Sequence, residues 1–183
     1  MVPWFTATER FSPDSGDAWD KFVDWSGLTQ LEEVISLDMM ICPPLLSMDP
    51  IPADYWPHIV NEDFMLQYFV DLPFLLAQVE GMDERNILCV YRQPETQPVP
   101  PADLPLTFAF VGYDLVDSQN SASALTNCGG FPEAFANEEL NRFGLLPTLA
   151  RANAVRDALR THYPGEVHAD CHVWAVFRAE EQR

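Results

Sequence analysis

The run 167–178 constrains the fold more than any other part of the sequence, because its side chains alternate between two faces. One face carries Val167, Ala169, Cys171, Val173, Ala175 and Phe177, and the other carries His168, Asp170, His172, Trp174, Val176 and Arg178. A period of two residues is typical of a β-strand. A strand by itself leaves backbone N–H and C=O groups without partners. The chain therefore has to supply further strands and build a sheet.

Three more segments are predicted to be the partner strands. They lie near residues 86–92, 106–113 and 121–126. The connection 93–105 contains five prolines, which favour a stiff and extended conformation. We therefore expect the first two of these strands to form a hairpin with a long tip. The strand order, and the parallel or antiparallel direction of the C-terminal strands, stay open on the sequence alone.

Helices are predicted on either side of these strands. In the first half, residues 14–27 have the spacing of a short amphipathic helix that buries Trp19. The segment 28–41 is interpreted as a helix followed by a strand, and 61–69 carries an apolar helical stripe. Asp71 is then positioned to cap a further helix. In the second half, 132–143 and 147–163 are predicted helices.

These elements predict an α+β fold in a single domain, residues 1–183, with a largely antiparallel sheet covered by helices. Residues 1–81 are expected to be mainly helical, and residues 82–183 to contain the sheet. The chain is 48% hydrophobic and 12% aromatic, which excludes an intrinsically disordered protein. A chain of 183 residues is also long enough to bury a substantial core.

The charge of the chain narrows the class of partner. There are 28 acidic residues against 10 lysines and arginines, so the formal net charge is −18. Residues 1–80 hold 14 of the acids against only Arg10 and Lys21. Affinity for nucleic acid and for anionic membranes comes largely from lysine and arginine. We therefore expect no direct nucleic-acid partner and no membrane partner, and a basic protein as the natural ligand.

The sequence indicates a cytoplasmic protein. No basic segment followed by an apolar run, as in a secretory signal, stands at the N-terminus. The longest apolar stretch, 39–46, is far shorter than the roughly 20 residues that cross a bilayer. The four cysteines are widely spaced and form no C-x-x-C pair. We expect them to be reduced thiols rather than a disulfide framework.

The sharpest chemical cluster is the pentapeptide His168-Ala169-Asp170-Cys171-His172. On a strand, His168, Asp170 and His172 would lie on one face. Imidazole and carboxylate ligands suit a divalent metal such as Zn²⁺ or Fe²⁺, and three of them with one open position would make a catalytic centre. The alternative is that the three residues form the polar face of a half-exposed strand.

The second cluster surrounds Cys128, which is followed by two glycines and precedes a predicted helix. A helix start favours the thiolate, the reactive form of cysteine. With His168 or His172 as the base, and Asp170 or Asn127 orienting it, Cys128 would be the nucleophile of a hydrolase or transferase. The alternative is a glycine turn that enters a helix beside a buried thiol.

The remaining evidence favours a binding protein over an enzyme, without excluding the enzyme. The chain contains no P-loop, no dinucleotide-binding glycine motif, no zinc-protease motif and no nucleophile elbow. In size, acidity and lack of a catalytic motif, it resembles bacterial immunity proteins. That resemblance implies an inhibitor that sequesters a basic partner, such as a toxin. The alternative function is a metal- or thiol-dependent hydrolase built on Cys128, His168, Asp170 and His172.

Aromatic and acidic residues of the first half are the candidate contacts for such a partner. Tryptophan and tyrosine are favoured at interface hot spots, while paired surface carboxylates supply charge. The candidates are Trp19, Trp25, Tyr55, Trp56, Glu62 and Asp63. The alternative for the aromatic residues is packing in the core.

Overall fold

A four-stranded antiparallel sheet forms the centre of the computed structural model, which describes residues 1–46, 50–60, 68–118, 121–127 and 130–180. Its strands are β1 (Trp4–Glu9), β2 (Arg85–Arg92), β3 (Phe108–Asp117) and β4 (Cys171–Ala179). The α-helices of the described residues are α1 (Asp17–Ser26), α2 (Leu72–Gln78) and α3 (Leu149–His162). The predicted α+β class, with a largely antiparallel sheet and covering helices, is confirmed.

The strand order is β1-β2-β4-β3, so neighbours in space are not always neighbours in sequence. The predicted hairpin between the strands near 86–92 and 106–113 is wrong, because β4 lies between β2 and β3. The proline-rich connection 93–105 leads from β2 past β4 to β3. The observed β3 also begins later than predicted and continues to Asp117.

Both faces of the sheet are buried, so strands such as β2 and β4 carry apolar side chains on both sides. Helices α2 and α3 pack on one face, where Leu75 and Val155 belong to the same core as Phe177 of β4. The other face is covered by chain without regular structure, in which Ile35 and Leu145 pack with the sheet. Polar residues of this layer, among them Ser36 and Asp38, are buried with it.

The local sequence predicted α1, α2 and α3 at about their observed positions. Gly27 ends α1 with φ 69°, a left-handed conformation that glycine adopts easily. The side chain of Asp71 accepts a hydrogen bond from the backbone N–H of Phe74 at 3.0 Å and caps α2. The side chain of Thr148 accepts one from the N–H of Arg151 at 3.3 Å and caps α3.

The expectation that residues 1–81 are mainly helical is wrong for the described part of that segment. Strand β1 was not predicted, and α1 and α2 contain only 10 and 7 residues. The predicted helix and strand at 28–41 are instead turns with an isolated bridge between Val34 and Phe11. The predicted stripe at 61–69 falls largely on 61–67, outside the described residues, while Phe69 bridges to Phe5 and Ile59.

Three predicted elements of the second half are corrected. Residues 121–126 are not a strand, because they form a turn with one bridge from Ser123 to Val116. The predicted helix 132–143 is reduced to the short 3-10 turn Asn137–Glu139. The predicted strand 167–178 begins only at Cys171, since Val167–Asp170 is also a 3-10 turn.

A bulge in β3 brings the segment 141–146 against the sheet. The register with β4 shifts between Phe110 and Gly112, and Gly112 has φ 146°. A Cβ atom at Gly112 would lie 2.5 Å from the Cβ of Leu145, so only glycine fits there. Among the described residues, no helix is long and apolar enough to cross a membrane.

Candidate functional site

Exposed acidic side chains gather on one part of the surface, formed by α1, the turn before it and the segment between α2 and β2. Asp14 and Glu84 line the same small cavity, of about 80 Å³, together with Arg10, so the turn before α1 adjoins the end of the segment between α2 and β2. The backbone N–H of Arg10 also donates to the carbonyl of Glu84 at 2.9 Å. We call this the acidic surface, and its members are Asp14, Asp17, Asp20, Asp24, Glu80, Asp83 and Glu84.

Helical periodicity explains why the aspartates of α1 face outwards. Trp19 and Phe22 turn inwards, with ring centroids 5.4 and 5.3 Å from that of Phe11. Side chains three and four residues apart share a face of a helix. Asp17, Asp20 and Asp24 therefore lie together on the opposite, exposed face, which they share with Lys21.

The acidic surface is not neutralised by the described chain. None of its seven members forms an ion pair with another described residue, and Lys21 is the one basic residue on α1. Two arginines lie at this surface: Arg10 lines the cavity with Asp14 and Glu84 and pairs with Glu33, and Arg85 donates to the carbonyl of Met82. Five arginines form ion pairs with carboxylates outside the acidic surface. The pairs are Arg10–Glu33, Arg178–Glu33, Arg142–Glu32, Arg151–Glu139 and Arg156–Asp157.

The predicted aromatic contacts separate into exposed and buried residues. Trp25, at the end of α1, is 55% exposed, and Trp56 is 49% exposed. Trp19 is buried in the core, and Tyr55 is buried with its hydroxyl donating to Oε1 of Gln78 at 2.7 Å. Trp25 and Trp56 are thus available to a partner, whereas Trp19 and Tyr55 are not. Glu62 and Asp63 lie outside the described residues.

The three proposed metal ligands do not share one strand face. His168 and Asp170 lie in the 3-10 turn before β4, and only His172 lies on the strand. Asp170 accepts a hydrogen bond from the hydroxyl of Ser118 at 2.9 Å. Nε2 of Gln93 is hydrogen-bonded to Nδ1 of His172. No group of three or more metal-binding side chains is found among the described residues.

His168 is instead held beside Asp117, a partner that the sequence did not identify. Its Nδ1 lies 3.9 Å from Oδ2 of Asp117, and its ring lies edge-on to Phe131 with centroids 5.5 Å apart. Burial lowers the pKa of His168, and the nearby Asp117 carboxylate opposes that shift. Burial lowers the pKa of His172, and the positive charge of Arg92 lowers it further. Neutral imidazoles are therefore favoured at both positions near pH 7.

The three described cysteines are buried free thiols. Cys42, Cys89 and Cys171 are not joined in disulfides. Burial raises the pKa of Cys89 and of Cys171 to about 12, and it raises the pKa of Cys42 as well. Thiols of this kind are unreactive at neutral pH. Cys128, the proposed nucleophile, lies outside the described residues.

An arginine-lined cleft was not predicted at all. It has a volume of about 860 Å³, and Arg10, Arg142 and Arg178 lie on its wall together with Phe143. These residues are far apart in sequence, so no local pattern could have indicated the site. The segment 32–35 brings them together, because the N–H of Glu32 and of Ile35 donate to the carbonyls of Arg142 and Phe143 at 2.9 and 3.1 Å.

Comparison with known proteins gives no relative from which a function could be transferred. No protein-family model matches the chain, and no curated protein or solved structure is significantly similar to it.

Proposed function

We propose that this chain is a binding protein that sequesters a basic protein partner on its acidic surface. The observation that carries the proposal is the set of seven exposed carboxylates without ion pairs among the described residues. A cluster of free charges with one sign attracts a partner of the opposite sign. Such steering raises association rates by roughly 10- to 1,000-fold.

Asp24 supports a role for this charge outside the fold. It lies in the last turn of α1, where the helix dipole is negative, and no basic residue is present in that turn. A carboxylate there is slightly unfavourable for the helix. Asp17 and Asp20 lie in the first turn, where the dipole favours them. Helix stability thus accounts for two of the three aspartates, and partner binding accounts for all three.

Trp25 supplies the apolar contact that charge alone does not provide. It follows Asp24 directly and is 55% exposed, with its ring centroid 6.3 Å from that of Phe22. A large aromatic side chain beside unpaired charges is a typical interface anchor. We propose that Trp25 inserts into the partner while the surrounding aspartates contact its lysines and arginines.

The same charges argue for a particular class of partner and compartment. A nucleic acid would be repelled by the acidic surface, whereas a toxin that attacks nucleic acids would present a basic surface to it. Inhibition of such a toxin is the immunity-like form of the proposal. The three buried free thiols support a reducing compartment, the cytoplasm.

Affinity capture with matched baits tests this proposal. The wild-type chain is compared with an Asp17→Asn/Asp20→Asn/Asp24→Asn variant and with a Trp25→Ala variant. The control is Asp157→Asn, which removes an exposed carboxylate on α3. We expect a basic protein that binds wild type and control in low salt, is released by high salt and is not captured by the first two variants. Capture that is equal with all four baits would refute the proposal.

A thiol-dependent hydrolase is the second candidate function. The observation that favours it is the contact between Phe131, three residues after Cys128, and the ring of His168. A neutral imidazole beside the Asp117 carboxylate has the character of a general base. Asp117, not Asp170, would then orient His168 as the base, because Asp170 is hydrogen-bonded to Ser118.

Alkylation of Cys128 by iodoacetamide separates the two candidates. The enzyme requires a thiol that reacts much faster than free cysteine at pH 7 and slows to the ordinary rate in His168→Ala. Binding to a basic partner requires neither. An ordinary alkylation rate in the native wild-type protein, unchanged in His168→Ala, would remove the hydrolase.

A further inference from the structure

The arginine-lined cleft brings three guanidinium groups together on a strongly acidic protein, beside the carboxylates of Glu32, Glu33 and Glu180. Arg142 and Arg178 approach the same ring, since the Cζ atoms lie 4.8 and 5.1 Å from the centroid of Phe143. Cation–π contacts of this kind hold a guanidinium in position without using its N–H groups. Both groups are therefore oriented before any ligand arrives.

Each of these two arginines retains hydrogen-bonding capacity. Arg178 donates through Nη1 to Glu33 at 2.8 Å, and Arg142 donates through Nη1 to Glu32 at 3.2 Å. A guanidinium carries five N–H donors, and neither side chain makes another hydrogen bond within the described chain. The remaining donors are available to an acceptor in the cleft.

The counter-charges in the cleft are not equally firmly bound. Glu33 is buried and accepts from Arg10, Arg178 and Asn86, so it is a fixed part of the fold. The Glu32–Arg142 pair is open to solvent, with side chains 66% and 61% exposed. Exposed ion pairs contribute little to stability, so their partners are readily replaced. A ligand carboxylate or phosphate can therefore replace Glu32 at Arg142.

The rest of the cleft is mostly apolar but includes a further carboxylate, Glu180, and its size is limited. Ala109, Val111 and Ala179 line it beside the rings of Phe110 and Phe143. Its volume of about 860 Å³ lies within the range of small-molecule sites. A polyanion such as nucleic acid would extend from the cleft over the acidic surroundings and be repelled. A small ligand is not subject to that repulsion over its length.

We propose that this cleft binds a small organic oxyanion with an apolar body, whose anionic group is held by Arg142 and Arg178. The site is distinct from the acidic surface that carries the proposed function, although Arg10 lines both this cleft and the small cavity of Asp14 and Glu84. Phenyl phosphate and benzoate are suitable probes for its two features. Inorganic phosphate tests the anion alone, benzyl alcohol tests the apolar body alone, and benzylammonium reverses the charge.

The experiment is an NMR titration that follows the Nε–H signals of all arginines in the wild-type protein. We expect saturable shifts at Arg142 and Arg178 with phenyl phosphate or benzoate, weaker binding of inorganic phosphate and no comparable shifts with benzyl alcohol or benzylammonium. Equal shifts at Arg151, Arg156 and Arg160 would show non-specific association and overturn the proposal. Equal responses to benzylammonium and phenyl phosphate would overturn it as well.

Three variants make the assignment specific. Arg142→Gln should weaken phenyl phosphate binding by about 10-fold or more, the usual effect of losing a charge-assisted hydrogen bond. Arg156→Gln is the matched control, because Arg156 also pairs with an exposed carboxylate. Glu32→Gln removes the competing carboxylate and should tighten binding by roughly 2- to 5-fold. This gain cannot come from misfolding, and its absence together with unchanged affinity in Arg142→Gln would refute the site.

Discussion

Two groups of carboxylates in this chain show how one residue type serves different purposes. Glu33, Asp38 and Asp114 are buried, and each accepts hydrogen bonds from groups distant in sequence. The members of the acidic surface are exposed and form no ion pairs with described residues. The buried carboxylates stabilise the irregular layer over one face of the sheet. The exposed ones make no contacts of this kind within the described chain, and we propose that they act by contacting a partner.

The buried group forms a connected network. Asp114 accepts from the hydroxyls of Ser36 and Ser123, both at 2.6 Å, and from the backbone N–H of Leu37 at 2.9 Å and of Leu115 at 2.8 Å. Asp38 accepts from the N–H of Ser123 at 2.7 Å. Three separate segments are thereby joined without regular secondary structure between them.

The largest predicted effect comes from breaking this network with Asp114→Asn. An amide cannot accept at both positions, so donors such as the Ser36 hydroxyl and the Leu37 N–H would meet an NH₂ group. We expect a loss of about 3 kcal/mol or more in the free energy of unfolding, measured by chemical denaturation. Asp157→Asn on α3 should change it by less than about 0.5 kcal/mol. Similar losses in both variants would remove the distinction between the two groups.

A smaller loss is expected for Glu33→Gln. This change removes the charge that Arg10 and Arg178 share, although one amide oxygen can still accept. Both guanidinium groups are about one-third exposed, so solvent compensates part of the loss. We expect a decrease of about 1 to 2 kcal/mol in the free energy of unfolding. If denaturation shows no decrease, Glu33 belongs with the exposed group instead.

The dependence of stability on pH offers a test that does not rely on total stability. Burial raises the pKa of Asp114, and hydrogen bonds from Ser123, Ser36 and the backbone oppose that shift. The Asp114 carboxyl therefore stays protonated to a higher pH in the folded state than in the unfolded state. The contribution of Asp114 to stability is then greatest below its ordinary pKa of about 4, and it falls as pH rises through the folded-state value.

We expect the unfolding free energy of wild type to fall with pH, relative to Asp114→Asn, by at most about 1.4 kcal/mol per pH unit in this window. Denaturant titrations at several pH values above 4 measure the difference. Parallel pH profiles for the two proteins would show that Asp114 titrates as it does in the unfolded chain. Asp157→Asn again serves as the control and should follow wild type.

The same contrast explains which parts of the fold the sequence could predict. β2, β4 and α3 are marked by local residue patterns, and α2 is marked by its cap Asp71. Segments 28–41 and 121–126 are instead ordered by contacts such as Ser123 with Asp38, which are 85 residues apart. Side-chain hydrogen bonds to the backbone replace regular structure there. Such contacts leave no periodic signal, so both segments were assigned helix or strand incorrectly.

For the candidate sites, the sequence carries information only where local structure determines exposure. The acidic face of α1 follows from the same periodicity that buries Trp19. The same periodicity places Trp25, six residues after Trp19, roughly 240° around the helix, so its exposure could have been separated from the burial of Trp19. The arginine cleft combines three distant positions. Asp117 was not paired with His168 for the same reason, since the turn Val167–Asp170 replaces the predicted strand start.

The smallest predicted effect on stability should accompany the largest effect on binding. Neutralising Asp17, Asp20 and Asp24 removes two favourable contacts with the helix dipole and one unfavourable contact. We expect the net change in the free energy of unfolding to be within about 0.5 kcal/mol, measured by denaturation. Asp24→Asn alone should be neutral or slightly stabilising. If the triple variant unfolds as readily as Asp114→Asn, the aspartates are structural, and loss of a partner in that variant would report misfolding. If it is as stable as wild type and loses a basic partner, the charge on this helix is maintained for binding, because the fold does not require it.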